Sequence, residues 1–493
     1  MNKKVKGIIG LGAVLAVLGG GLAYLKNTEP ADDKSSSSSS SVAESGAGIQ
    51  LIRKDTNTVK QIDISNSQST FTVLRTAKAK SDKENPTFTI KGYENIPLVN
   101  TTIYTLANNV SELDSLSVVT DSPDDLSKYG LDKPEVTATF YYDSGDPITI
   151  YIGNISPVST ATYFMMKGSN TVYTVSTSSL SNYRDSISAY VSKTIVEKPA
   201  DDDMPVVKNL TIHRQDLDYD IKLQYDERSK NDKYKGGTAS THVMTEPIYC
   251  YLSLERSTSA VTGIFGLTAS DFYKILPDES DIAEAGLTSP FCTVTTECDN
   301  GKTYKLLLSE PFTDDDGVKC YYAMLDGGNI IYIVSADKAV WGTIKPIDIA
   351  SSNIFGSTIW DIRQMVISGK DIKTDTFDGN GSSADDYKVT KNGKSLDTER
   401  FRLFYAFLLS TSADDLAIGK TVPADAKPLV SVSIKDTYMD KPQEISFYED
   451  GSLSCIITVD GQARFICSRS YVDTLIGNIA KIDTGENYVT TWK

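Results

Sequence analysis

The stretch Ser122–Ser176 constrains the fold of this chain more than any other, because it recurs. Its opening, DLSKYGLDKP over Asp125–Pro134, returns without a gap as DIAEAGLTSP over Asp281–Pro290. Ile152 still aligns with Leu308, and Val172-Tyr173 aligns with Ile331-Tyr332 after a loop three residues longer. A worn third copy keeps Ser412, Asp415, Leu416 and Pro428, with Phe465–Ser468 standing where Tyr173–Ser176 stood. Units of roughly 140 to 155 residues are far longer than solenoid repeats of about 20 to 50 residues, and each can bury its own core. The expectation is a row of related domains.

Within the first unit, short alternating runs at Ile62–Ser65, Phe71–Arg75 and Phe88–Ile90 read as antiparallel strands. Val99, Ile103, Leu106, Val110, Leu113 and Leu116 fall at helical spacing, which predicts one helix over 98–119. Ser122 and Pro123 predict a second, short helix, with Asp125 reaching back to its free N–H groups and Gly130 ending it. After Pro134 the chain reads as strands at 136–142, 148–152, 161–166 and 171–175, closed by a helix over 177–191. The second unit repeats this with a helix over 258–275, the third with a helix over 397–409 and the same cap at Ser412 and Asp415. Two polar stretches, Asp226–Thr245 and Lys373–Asp386, read as inserted loops where the copies differ.

The N-terminus places Lys3, Lys4 and Lys6 before 19 uncharged residues, Gly7–Leu25. As a helix these span about 28 Å at 1.5 Å per residue, enough for a bilayer. The expected layout is a cytoplasmic tip at 1–6, a transmembrane anchor at 7–25 and the remainder outside. A cleaved signal peptide is the rival, since Gly21 and Ala23 suit a peptidase. Residues 26–48, with seven consecutive serines at Ser35–Ser41, read as a flexible tether. Boundaries then fall at 49–200 for the first repeat, 201–356 for the second and 357–493 for the degenerate third. The fold class is α+β: tandem, mainly antiparallel sheets with helices packed on one side.

The chemistry is sparse. With 49 Lys+Arg against 65 Asp+Glu the net charge is −16, and no basic stripe follows residue 6, which argues against nucleic-acid binding. Of the two histidines, His213 sits in a strand pattern and His242 in a polar insertion, outside any zinc or triad spacing. Ser335 and Lys338 match S-x-x-K by chance. Asp378, Asn380 and Ser382 have the start of a calcium-loop spacing, but Ser383 stands where Gly is needed and Val389 where Glu is needed; Asp314–Asp316 reads as a turn. The six cysteines contain no C-x-x-C pair and read as buried thiols, with Cys455 and Cys467 able to approach across a turn at Asp460-Gly461. Among 27 tyrosines, Tyr141, Tyr142, Tyr151, Tyr163 and Tyr173 alternate on strands as packing residues, with a ligand-binding row as the minor reading. No catalytic, cofactor or metal residue is assigned.

The pattern D-L-x-x-x-G-L-x-x-P, the run IYIGN at Ile150–Asn154 and YFMMKGSNTVYTV at Tyr163–Val175 resemble the bacterial DUF4340 family over about residues 50–350. That resemblance implies a single-pass envelope protein, in some members associated with gliding-type ABC transporters, and supplies no catalytic residues. The expected function is therefore a non-enzymatic binding or scaffold subunit, anchored in the membrane, with a protein partner in an ABC-type export or motility assembly. The alternative is an envelope hydrolase acting on wall polymer or peptide through a carboxylate pair that the sequence does not mark.

Overall fold

In Val136–Tyr142 every second residue is buried, the period of a strand with one face against a core. The computed structural model describes residues 49–490 apart from 82, 158–159 and 228–238. The anchor, the tip, the tether and most of the loop expected at Asp226–Thr245 lie outside the described residues.

The first unit contains β1 (Gln50–Arg53), β2 (Val59–Ser65), β3 (Thr70–Ala77), β4 (Thr87–Ile90), β5 (Glu112–Asp114), β6 (Ser117–Thr120), β7 (Val136–Tyr142), β8 (Ile148–Ile155), β9 (Ala161–Met166) and β10 (Val172–Ser176). Helix α1 (Asn100–Ser111) lies between β4 and β5. β1 and β5 form a two-stranded ribbon, and the rest make one sheet in the order β4-β3-β2-β7-β8-β9-β10-β6. The second sheet runs Cys250–Ser253, Ala239–Glu246, Ile221–Tyr225, Val207–Arg214, Cys292–Cys298, Thr303–Leu308, Lys319–Leu325, Ile330–Ser335, Asp271–Ile275. The third runs Lys394–Leu396, Lys388–Lys391, Ile372–Asn380, Ile362–Gly369, Val430–Asp436, Gln443–Asp450, Ser454–Val459, Gln462–Ser468, Asp415–Leu416. One plan serves all three. An N-terminal meander is followed by a helix, then by a strand that goes to the far edge, then by a second meander that fills the gap between them.

Several expected elements differ. The helix expected over 98–119 stops at Ser111, and β5 and β6 follow it, because Val118 pairs with Tyr173 instead of continuing a turn. The helix expected over 258–275 is Leu254–Thr262, and Asp271–Ile275 is the edge strand of the second sheet, paired with Ile330–Ile333. The closing helix of the first unit breaks into Thr177–Leu180 and two tight turns. Lys373–Asp386 is largely a strand: Ile372–Asn380 pairs on both sides, with Ile362–Gly369 and Lys388–Lys391. Likewise the end of the other expected loop, from Ala239, is a strand beside Ile221–Tyr225.

α1 lays Ile103, Leu106, Ala107 and Val110 on one face of the first sheet, against Val59, Ile62, Phe140 and Ile150. Tyr183 and Tyr190 complete that core, the Tyr183 hydroxyl donating to the Leu106 carbonyl. Not every helical segment is on this side. The repeated motif covers the opposite face, where Leu126 and Leu131 pack with Met165 and Val172, and in the second unit Ile282 and Leu287 pack with Leu307 and Ile331. Both sheets are thus covered on two faces, unequally.

The units are joined through backbone and core. Ile195 N–H donates to the Leu267 carbonyl at 2.8 Å and Gly266 N–H to that of Val196 at 2.9 Å, so the chain leaving the first unit is stitched to the second. Asn353 bridges Ser412 between the second and third units. A single apolar cluster runs from Leu210 and Trp341 in the second unit to Phe404 and Phe447 in the third.

Candidate functional site

The repeated motif is the first place to look for chemistry, and its residues are committed to structure. Asp125 is the N-cap of a short 3₁₀ turn, Leu126–Tyr129, its carboxylate accepting from Ser127 N–H at 2.9 Å. That corrects the expected cap at Ser122. In the second copy the helix is Glu279–Glu284, where Asp278 caps Asp281 N–H and Asp281 reaches back to Asp278 N–H, a reciprocal capping box. In the third copy the cap is absent: Asp415-Leu416 is the edge strand itself, and the Asp415 carboxylate accepts from Leu416 N–H. Gly130 ends its turn at φ 66°, a left-handed conformation that suits glycine.

Other marked residues separate in the same way. His242 is buried on a strand; its Nε2 lies 2.8 Å from the Val207 carbonyl and its Nδ1 3.0 Å from Thr241 Oγ1, the pattern of a neutral ring. Lys338 Nζ is held by Thr268 Oγ1 at 2.9 Å and by the Thr268 carbonyl, which leaves no S-x-x-K dyad. Asp378 and Asn380 lie on an extended strand, so they share one side of it and do not wrap a cation. Asp386 instead clamps the following turn from both Ser382 and Ser383 N–H groups, and these bonds hold its carboxyl well below the usual range. Tyr142 is buried and Tyr173 packs on the α1 side, whereas Tyr151 and Tyr163 face the motif side, so the tyrosines form no single row. All six cysteines are buried and free; Cys455 and Cys467 sit directly opposite each other on neighbouring strands. Burial pushes the Cys250 and Cys292 thiols up to about 12, which keeps them unreactive at neutral pH. Among the described residues no group of three or more His, Cys, Asp or Glu is placed to hold a metal ion.

Burial of His242 gives a pH prediction. Desolvation lowers its proton affinity from the ordinary 6.5, against a smaller opposing effect of the Val207 hydrogen bond. The unfolded chain therefore takes up this proton at a higher pH than the folded one, so the associated stability is present above 6.5 and is lost as pH falls below it. The melting temperature is expected to fall from about pH 7 to about pH 5, and less steeply in His242→Gln. Equal slopes for the two proteins would refute this role.

A cleft of about 650 Å³ is left where the second and third units meet. The end of Val207–Arg214 supplies His213 and the turn after it Leu217, Asp218, Tyr219 and Asp220; the cis Glu246-Pro247 peptide supplies a second wall, and Ile418 of the third unit a third. Arg214 fixes the turn, making two bonds to the Asp216 carboxylate at 2.6 and 2.9 Å and one to the Ile344 carbonyl at 2.6 Å. His213 Nδ1 lies 2.8 Å from Asp220, and Lys222 pairs with Glu246 at 2.9 Å. The Asp218 carboxylate is exposed and has no hydrogen bond or ion pair among the described residues. The volume suits a side-chain cluster or small ligand, and such clefts favour junctions between units. No hydroxyl is hydrogen-bonded to the other nitrogen of His213 among the described residues, so the His213–Asp220 pair is not part of a triad.

Fold and cleft together define a tandem α+β sheet protein with a groove at a unit seam. Residues 89–290 match the model of a family described as a domain of unknown function, DUF4340, which places that stretch in the family its motif resembles. The match is narrower than the resemblance read from the motifs, and it ends on the proline of the second motif. No curated protein and no solved structure shows a significant match to the chain.

Proposed function

We propose that this chain is a single-pass envelope protein, anchored by Gly7–Leu25, whose sheets outside the membrane bind or position a protein partner without catalysing a reaction. The observation that carries this reading is how the repeated motif is used: in the first two units its aspartates cap, its glycines turn and its leucines pack, and in the third its aspartate and leucine form the edge strand of the same sheet plan. What remains to differ between copies is surface, and the groove between the second and third units is an acidic one, with Asp218, Asp220 and Glu246. Its charge suits a basic segment of a partner. The family resemblance adds an ABC-type export or motility assembly as the class of that partner.

Mild crosslinking in native membranes, followed by capture of the full chain and mass spectrometry, tests the reading. The expected result is an envelope partner recovered with wild type and lost with an Asp218→Lys, Glu246→Lys double variant. Recovery of the chain alone from both would count heavily against it.

A further inference from the structure

Cysteines on neighbouring strands come within bonding reach when they stand opposite each other on one face of the sheet. Four of the six cysteines have no such partner. Cys250 faces Met244, Cys292 lies between Arg214 and Leu308, Cys298 faces Val207, and Cys320 lies between Phe312 and Ser335. Cys455 and Cys467 differ. They are directly opposed on Ser454–Val459 and Gln462–Ser468, the adjacent antiparallel strands of the last hairpin, and both are buried, at 0% and 1% exposure.

The register fixes their spacing. Arg469 N–H donates to the Leu453 carbonyl at 2.9 Å, which continues the pairing of Ser454 with Ser468 one residue outward. Hydrogen-bonded and non-hydrogen-bonded pairs alternate along an antiparallel ladder, so Cys455 and Cys467 form a hydrogen-bonded pair with Cα atoms about 5.5 Å apart. The neighbouring Ile466 carbonyl turns away, as that alternation requires, to accept from Asp414 N–H at 2.8 Å. The irregularity in this ladder, between Ile457 and Thr458, lies beyond the pair and leaves its register intact. A Cα separation of about 5.5 Å is inside the disulfide range of roughly 4.4 to 6.8 Å, and closing the bond draws the two Cβ atoms together by only about 1 Å. The two thiols are hydrogen-bonded to each other, which holds the Cys455 thiol below its ordinary pKa despite burial and raises that of Cys467.

The other copies show that the scaffold does not need cysteine here. Val175, which aligns with Cys467, is opposed by Thr162, and the second copy sets Val334 opposite Tyr321; all four are buried. Valine serves the packing, so the matched sulfurs are an addition of the third copy. We infer that Cys455 and Cys467 are joined by a disulfide in the protein outside the membrane, closing the last hairpin across its turn at Asp460-Gly461. Such bonds persist in oxidising compartments, so this step rests on the anchor proposed above. The oxidant is the disulfide of a thiol-disulfide exchange protein. The Cys455 thiolate attacks one sulfur of that donor and releases the other as a thiolate; the Cys467 thiolate then attacks Cys455 Sγ and releases the second. Two thiols are oxidised, one donor disulfide is reduced to two thiols, and the two protons pass to those. Both sulfurs are buried once the sheet is complete, so the exchange takes place as the chain folds.

Counting thiols in the full chain, purified from native membranes, tests the bond. Denatured and alkylated without reductant, the chain is expected to take up four labels, and after reduction all six. Peptide mapping is expected to join the segments that carry Cys455 and Cys467. A Cys455→Thr, Cys467→Val double variant, which restores the pair found in the first copy, is expected to take up four labels in both conditions. Six labels on unreduced wild type, or a bond mapped to any other cysteine, would overturn the inference. A second arm then shows which premise fell: the same chain, reduced and refolded in a buffer of oxidised and reduced glutathione. A bond that forms there but is absent from membranes refutes the placement outside the membrane, and a bond that forms in neither refutes the register argument.

Discussion

Gly153→Val is expected to lower the stability of the first unit by about 3 kcal/mol or more. A Cβ at position 153 would stand 2.1 Å from the Tyr129 carbonyl oxygen and 3.0 Å from Leu131 Cγ, and one at Gly130 would stand 2.4 Å from Asn154 Oδ1. The two halves of the family pattern, the turn at Asp125–Leu131 and the run at Ile150–Asn154, are therefore one contact, closed only because both glycines lack a side chain. Arg184 adds to it from the far side of the unit, donating to the Gly153 carbonyl at 2.6 Å while paired with Glu135 at 3.0 Å. The second copy explains its own exception. Ser309 stands at the equivalent of Gly153, the Gly286 position is 4.0 Å from Ser309 Cβ, and the Ser309 hydroxyl accepts from Tyr322 N–H at 3.0 Å and donates to the Glu310 carbonyl at 2.7 Å. A denaturant midpoint for Gly153→Val equal to that of wild type would show that the contact is not a lock.

Trp341→Ala is expected to cost about 3 to 5 kcal/mol, the range for deleting a large buried aromatic. Trp341 is fully buried against Leu254–Thr262, and its indole N–H donates to the Ala260 carbonyl at 2.8 Å, so the substitution removes packing and leaves a buried carbonyl unpaired. Its apolar cluster continues into the third unit, through Ile354 and Phe355 to Phe404 and Phe447. The second and third units should consequently lose stability together, as one calorimetric transition shifted downward. Separate transitions, with the third unit unmoved, would contradict a shared core.

The regular parts of the fold were legible in the sequence for local reasons. Val136–Tyr142 alternates cleanly, and the helix expected over 397–409 is Thr398–Leu409, capped by Asp397. The far-edge strand was missed in all three copies. At Ser117–Thr120 and Asp271–Ile275 the apolar residues continue a helical spacing from the helix before them, and only pairing with Val172–Thr174 or Ile330–Ile333 decides otherwise. Ile372–Asn380 was hidden differently. Only Phe377 of it is buried, so its polar residues read as a loop. The cleft could not be read at all, because His213–Asp220, Glu246-Pro247 and Ile418 meet only once the units are docked. Among the described residues no helix is long and apolar enough to cross a membrane, and the proposed anchor rests on the composition of Gly7–Leu25.

The central claim is that a repeated scaffold presents a partner-binding groove at its second seam. A photo-crosslinking amino acid placed at Tyr219 of the full chain, in native membranes, tests it most directly, with one at Leu453 as the control. The account predicts an adduct to a single envelope protein from position 219, absent from position 453 and suppressed by Asp218→Lys with Glu246→Lys. Identical adducts from both positions, or none from either, would contradict it.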